Sequence, residues 1–370
     1  MSDTGGDGLR VVLACDFFLR YTAMLAGGLS RAGSNVALMS RDHDFEFGGE
    51  TGAGRDFVHR AAGSGVAHRM LPGRVRSPRG WKHALRLRQE TQGFAPDVVH
   101  LQESIGNDVR LLLATDVRPG RFALTIHDPV RHPGDRSSWA IGQANRALVR
   151  FAGLIFVHGE ALREELVRLF APPAPIVVVP HGVDAERVSP LPDRPSILFF
   201  GRLSHYKGLD ILLDAMEDVW RELPATTLTI AGAGEIEDHP AFSDQRVELR
   251  REHIPDAAVS RLIDGAGCVA LPYRQASQSG VGALAKAHGR PLVASAVGGL
   301  PELISDGSGL LVPPEDSSAL AQALVAVLAD GDLAGRLGAA GARTATRDSS
   351  WDAVAARTLA AYREHLLAAR

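Results

Sequence analysis

The chain has 370 residues, enough for two domains at roughly 100–200 residues each. Its 40 basic and 43 acidic side chains nearly cancel, which excludes a generically basic nucleic-acid binder and an acidic solvating tail. Hydrophobic residues make up 45% and charged residues 22%, ordinary globular usage that excludes disorder as the main state.

Residues 1–8 are polar and Gly-rich, with no signal-peptide pattern, and no apolar run is long enough to cross a bilayer. Cys15 and Cys268 are far apart and each sits in an apolar run. That argues against a disulfide or a cysteine metal site and for a reducing, cytoplasmic compartment. Strands are expected at 10–14, 35–39, 97–101, 122–126, 154–157 and 176–179, where short β-branched runs recur. Amphipathic helical patterns lie between them at 19–31, 81–92, 139–151 and 160–169. After a Pro-rich linker, Val188-Ser-Pro-Leu-Pro-Asp-Arg-Pro195, the scheme repeats. Strands are expected at 197–200, 227–230, 268–271, 292–294 and 310–312, with helices at 209–222, 257–264, 280–288 and 317–329. A last amphipathic helix covers 351–370 behind Asp348-Ser-Ser350. Apolar strands alternating with helices mean parallel sheets covered on both faces, here two doubly wound α/β domains facing across a cleft. The expected boundaries are 1–187, 188–350 and a helix at 351–370 that packs back on the first domain. Ligands of such sheets bind in the loops beyond the strands' carboxyl ends.

Three stretches carry candidate chemistry. In Phe199-Phe-Gly-Arg-Leu-Ser-His-Tyr-Lys-Gly208, a strand ends at Gly201, Arg202 follows, and Lys207 precedes the next helix. Spacing alone leaves two readings: solvated surface cations, or an anion site beside a helix N-terminus. The chain has three lysines, Lys82, Lys207 and Lys286, so Lys207 is an unusual choice in an arginine-rich sequence. The second stretch is Leu271-Pro-Tyr-Arg-Gln-Ala-Ser-Gln-Ser-Gly-Val-Gly282, where a small-residue helix opens near Ser279-Gly280. It fits either a diphosphate approaching free N–H groups or a tight turn packed for its own sake. The third, Gly298-Gly-Leu-Pro-Glu302, suits a strand-to-helix corner with Glu302 as a capping residue.

Together with Pro180-His-Gly-Val-Asp184 and Gly289-Arg-Pro-Leu-Val-Ala294, these stretches in this order resemble the family-4 glycosyltransferases of the GT-B fold. The N-terminal half resembles that family more loosely, through Asp97-Val-Val-His100, Thr125-Ile-His-Asp128 and Ile155-Phe-Val-His158. The resemblance implies a retaining transferase that moves a sugar from a nucleoside diphosphate, uridine being the commonest, to an acceptor hydroxyl. It implies that Arg202 and Lys207 grip the diphosphate, with Gly201, Ser277, Gln278, Ser279, Gly280 and Val281 around the donor. His127 matches the histidine that reaches the donor sugar, and Arg20, Tyr21 and Asp128 fall on the acceptor side. No histidine spacing suits a metal, so no metal or other cofactor is expected.

The departures are specific. Two glutamates usual in the family fall at Ser277 and Leu284, so neutral contacts from Ser277 or Gln278 stand where a carboxylate met the sugar. The usual Gly-Gly pair after the first strand is replaced by Asp16-Phe-Phe-Leu-Arg-Tyr-Thr22. These losses motivate a second expectation, a nucleotide-sugar-binding auxiliary subunit with little chemistry of its own. An epimerase on the same fold would want cleft carboxylates that cannot be placed. Finally, Arg74, Arg76, Arg79, Lys82, Arg86 and Arg88 surround Trp81 with no carboxylate before Glu90. That segment reads as a solvated helix face, a phosphorylated-acceptor site, or a peripheral contact with an anionic membrane; no nucleic-acid partner is expected.

Overall fold

The structure is a computed structural model that describes residues 8–41, 44–71, 78–102, 109–118, 120–129, 146–184 and 188–368. The chain divides into two units, Met1–Gly182 with Trp351–Arg370, and Val183–Ser350. The break precedes the expected 187/188 boundary because the Val183 N–H donates to the Ser349 carbonyl at 2.8 Å and Val183 bridges to Ser350.

Unit 1 is built on a parallel sheet in the order β3-β2-β1-β4-β5-β6-β7. Its strands are β1 Arg10–Cys15, β2 Asn35–Arg41, β3 Ala67–Leu71, β4 Val98–Gln102, β5 Phe122–Thr125, β6 Leu154–Val157 and β7 Ile176–Val178. Helices α1 Leu19–Arg31, α2 Ala53–Ala62, α3 Pro78–Phe94, α4 Val109–Ala114, the helical segment 146–151 and α5 Glu160–Phe170 complete the described part. Residues 139–145 of the expected fourth helix, and Arg74 and Arg76, lie outside the described residues. Strand alternation sorts β1 between two cores: Val11, Leu13 and Cys15 enter the cluster shared with α1 and α2, Val12 and Ala14 the one shared with α3.

Unit 2 repeats the scheme in the order β10-β9-β8-β11-β12-β13. The strands are β8 Ser196–Phe200, β9 Thr227–Ala231, β10 Val247–Arg250, β11 Cys268–Leu271, β12 Leu292–Ser295 and β13 Gly309–Val312. Its helices are α6 Leu209–Glu222, α7 Asp256–Asp264, α8 Gly280–Ala287, α9 Leu300–Leu303, α10 Ser317–Ala329 and α11 Gly331–Thr344. Arg290, fully buried, holds the Pro-rich segment onto this unit by donating to the carbonyls of Ser189, Pro190, Ala266 and His288. Strand order reverses between β1 and β4 and between β8 and β11, so each unit has one switch point.

Helix α12, Trp351–Tyr362, returns to unit 1 and continues as a π-helical turn over Arg363–Leu367. Its Trp351, Val354, Ala355, Leu359 and Tyr362 are buried in the α1 core cluster. Gly28 is what allows the approach: a Cβ there would lie 2.6 Å from the Trp351 carbonyl oxygen and 3.0 Å from Ala355 Cβ. Among the described residues no single helix is long and apolar enough to cross a membrane, and both cysteines are buried and free. Trp351 packs against Tyr21 and the backbone of Gly182. Trp351→Ala should therefore cost about 3–5 kcal/mol, measured as a lower urea midpoint; a change below 1 kcal/mol would remove α12 as a structural part of unit 1.

Candidate functional site

In unit 2 the sequence candidates converge at the switch point. Strand β8 ends at Phe200, and Gly201-Arg202 follow at its carboxyl end. Gly201 lies against the first turn of α8, where a Cβ would touch Val281 Cγ2 at 3.4 Å. Lys207 closes the short turn His205–Lys207 and points its Nζ over the Tyr273 ring, 3.8 Å from the centroid. The Tyr273 hydroxyl lies 3.4 Å from Ser279 Oγ, which caps α8 by accepting from the Gly282 N–H at 3.1 Å. The first-turn N–H groups of Gly280 and Val281 have no intrahelical acceptor, and the helix dipole puts partial positive charge there. Lys207, Gly201, Ser279, Gly280 and Val281 thus gather around one helix end. Arg202 follows Gly201 in the chain and is exposed.

Two residues that the sequence did not single out hold this arrangement. Arg274 donates from its backbone to the Tyr206 carbonyl at 2.8 Å and from its guanidinium to the His205 carbonyl at 3.0 Å. It also forks onto Asp210, at 2.8 and 2.6 Å, and reaches Glu315 at 2.9 Å, so the Lys207 turn is tied to the β11 loop. Those hydrogen bonds hold the Asp210 carboxyl below its usual range. Tyr273, 1% exposed, is the platform under the lysine. Gly208 adopts φ +67° with the Pro272 carbonyl where a Cβ would stand, and Gly298 adopts φ +51° with the Ala276 carbonyl in that place. No L side chain fits either position. The Gly232 N–H donates to the Arg250 carbonyl at 3.0 Å, which brings the loop after β10 to the same edge.

At the two positions where carboxylates are absent, Ser277 packs its carbonyl against Gly299, and Leu284 is part of the apolar cluster around Leu271 and Leu300. Gln278 keeps a buried Oε1 with no hydrogen-bond partner among the described residues. Glu302 is exposed in the first turn of α9. Lys286 serves structure: its Nζ donates to the Leu303 carbonyl at 2.6 Å and pairs with Asp306 at 2.8 Å.

Unit 1 places His127 differently from an open-loop histidine. It is 1% exposed, and Phe18 stacks on it at 3.9 Å with 19° between planes. Phe18 itself has φ +64°, a left-handed conformation rare outside glycine. Tyr21 is buried against the rings of His127, His158, His181 and Trp351. Arg20 lies over the Phe47 and Phe57 rings at 5.0 and 4.9 Å, while Asp128 is half-buried next to His127 in sequence. The N-terminus of α1 already meets an anion, since the Leu19 N–H donates to the Glu46 carboxylate at 3.0 Å.

The hydrogen bonds in this cluster have one direction. His158 Nδ1 faces the Val179 carbonyl at 3.0 Å and must carry the proton, so its Nε2 accepts from His127 Nδ1 at 3.1 Å. His127 Nε2 is then an acceptor, and the side-chain amide of Gln102, 3.0 Å away, must present its NH2 end. That orientation also satisfies the Gln102 nitrogen, which is otherwise buried without a partner. Burial, then neighbouring histidines, pushes His158 and His100 down to about 3 and His127 well below its usual value. Above pH about 6.5 these histidines are neutral whether folded or not. As pH falls from there towards 3, the unfolded chain takes up protons that the folded unit refuses. Stability should therefore drop with acidification, by up to about 1.4 kcal/mol per pH unit for each histidine. Urea titrations from pH 7 to 4 check this, and His100→Gln should flatten the slope by about one proton.

Comparisons with known proteins agree with this architecture. Residues 19–187 match the family model described as Glycosyltransferase Family 4, and residues 194–330 match Glycosyl transferases group 1. A D-inositol 3-phosphate glycosyltransferase of Kineococcus radiotolerans is 30% identical over 393 residues, covering 93% of this chain and 89% of the relative. Glycogen synthase of Mycobacterium tuberculosis is 30% identical over 292 residues, covering 73% and 69%. In fold, the chain is similar to a sucrose-phosphate synthase from Thermosynechococcus elongatus, with TM-score 0.72, 19% identity and 98% and 100% of the two chains covered. It is also similar to HepE of Anabaena in complex with UDP and glucose, with TM-score 0.71, 15% identity and 96% and 100% covered. The chain belongs to the group 1 glycosyltransferases of the GT-B fold.

Proposed function

We propose that this glycosyltransferase takes its sugar from a nucleoside diphosphate, with uridine the first base to try, and transfers it to an acceptor hydroxyl with retention and without a metal ion. The observation that carries this is the placement of Lys207 over Tyr273, beside the Ser279-capped end of α8. Cleaving the sugar–phosphate bond leaves charge on the diphosphate while the sugar becomes oxocarbenium-like. Fixed cations and helix amides there stabilise the transition state more than the ground state. Arg202, Lys207 and the amides of Gly280 and Val281 take that role, with Gly201 giving the backbone room. Ser277 and Gln278 offer neutral hydrogen bonds to the sugar hydroxyls. The bond from the anomeric carbon to the phosphate oxygen breaks as the bond to the acceptor oxygen forms on the same face. The acceptor proton passes to the departing phosphate oxygen, so no side-chain base is needed. HepE, which shares the fold, was solved with UDP and with UDP-glucose, which supports starting with uridine.

A second reading, a nucleotide-sugar-binding subunit with little turnover, draws on Leu284, whose apolar side chain offers no acceptor to a ribose. Product analysis separates the two: glycosylated acceptor, or donor bound and intact. Arg202→Ala and Lys207→Ala should each lower transfer by about a hundredfold with the unfolding midpoint unchanged, while EDTA leaves the wild-type rate intact. Full transfer by either variant would remove the diphosphate site. Retention is read from the anomeric coupling of the first-formed product.

Peripheral contact with an anionic bilayer is part of the same proposal. On α3, Trp81 and Leu85 are 39% and 50% exposed at an i, i+4 spacing, beside exposed Arg79, Lys82 and Arg86. Trp81→Ser/Leu85→Ser should abolish cosedimentation with phosphatidylglycerol vesicles; retention by that variant, or none by the wild type, removes the contact.

A further inference from the structure

An open pocket of about 870 Å³ lies in unit 1 between α2, β3 and α3. Strand β3 ends the sheet, so among the described residues its outer edge has no strand neighbour. The floor is apolar, with Val58 and Leu87 each 2% exposed. The walls are basic: Arg55 and His59 from α2, Arg69 from β3, and His83 and Arg86 from α3, against one lining carboxylate, Glu90. In a chain of formal charge −3, three arginines around one glutamate make a local reversal of sign.

Glu90 does not quench that charge so much as fix its geometry. One oxygen accepts from Arg69 Nε at 3.0 Å and the other from Arg86 Nε at 3.2 Å. Each guanidinium is gripped by its Nε; Arg69 Nη1 also donates to the His68 carbonyl at 3.3 Å, which leaves Arg69 Nη2 and the terminal nitrogens of Arg86 as further donors. The two side chains remain 49% and 75% exposed. Arg55 and His59 on α2, and His83 on α3, have no ion pair among the described residues and add donors around the pocket. Planar guanidinium forks held apart on a concave surface match the oxygens of a phosphate group, which a lone surface cation does not.

We infer that this pocket binds a multiply charged phosphate group, and that it is a site additional to the donor site of unit 2. The group comes from a soluble phosphate compound or from a lipid headgroup; the recognition chemistry is shared. It does not depend on the donor assignment above.

Titration calorimetry with inorganic pyrophosphate tests it on the full chain. Arg202→Ala should retain a pyrophosphate site, whereas Arg55→Gln/Arg86→Gln, a change of two exposed side chains, should weaken that site at least about tenfold. Circular dichroism confirms that the double variant is folded. Cosedimentation with phosphatidic acid vesicles separates the sources. Vesicle binding that pyrophosphate competes away, and that the double variant loses, assigns the site to a headgroup. Pyrophosphate binding without vesicle retention assigns it to a soluble compound. The proposal is overturned if Arg202→Ala abolishes all pyrophosphate binding, if the double variant binds both probes like the wild type, or if neither probe binds.

Discussion

Backbone pressed against backbone is the constraint on which unit 2 depends. At the carboxyl ends of β8, β11 and β12, the Pro272 and Ala276 carbonyls occupy the space that side chains at 208 and 298 would need. Once those loops are interlocked, little is left to chance around them. Arg274 ties the Lys207 turn to the β11 loop, Tyr273 is driven into the interior beneath the lysine, and α8 starts where its cap can reach Gly282. A cation and a helix end are thereby held together by parts that cannot drift independently, which is what preorganised charge stabilisation requires.

Unit 1 meets the opposite electrostatic demand. Its interior at the ends of β4, β5 and β6 is filled with imidazoles that must stay neutral, each nitrogen given a partner of the right sense. The Val179 carbonyl sets the direction of the chain, and Gln102 ends it. Polar groups inside a protein are tolerable when all are satisfied, and a network with one sense has a single low-energy arrangement. Phe18, in its left-handed conformation, lies over His127 as its cover.

The parts legible in the sequence were those with strong local signatures. Central strands such as β1, β6 and β11 read as unbroken apolar runs because both faces are buried. The two strands that periodicity did not reveal, β3 and β10, are the last strands of their sheets, where exposure permits Ala-His-Arg-Met-Leu and Val-Glu-Leu-Arg. Helix α11 escaped because Gly331, Gly335, Gly338 and Gly341 make it a poor helix by propensity. Gly338 is there because the Gly289 carbonyl sits where its Cβ would be. In the candidate site, spacing alone left the role of Arg202 and Lys207 open, while the strand end before Arg202 and the opening of α8 near Ser279-Gly280 were legible. Arg274 and the His158–His127–Gln102 chain were not, since their partners are distant in sequence and only the fold brings them together. Arg20, in the first turn of α1, lies over the Phe47 and Phe57 rings, partners that are likewise distant in sequence.

The return of α12 to α1 has a consequence for how the protein is made. Unit 2 is one continuous stretch and has all its parts once Ser350 has left the ribosome. Unit 1 does not: the face of α1 that carries Gly28 waits for Trp351 and the turns behind it. At usual synthesis rates of roughly 5–20 residues per second, that wait lasts on the order of ten seconds or more. Throughout it the nascent first domain carries an uncovered apolar stripe. Assembly thus runs against the order of synthesis, with a segment made after unit 2 sealing a core begun before it.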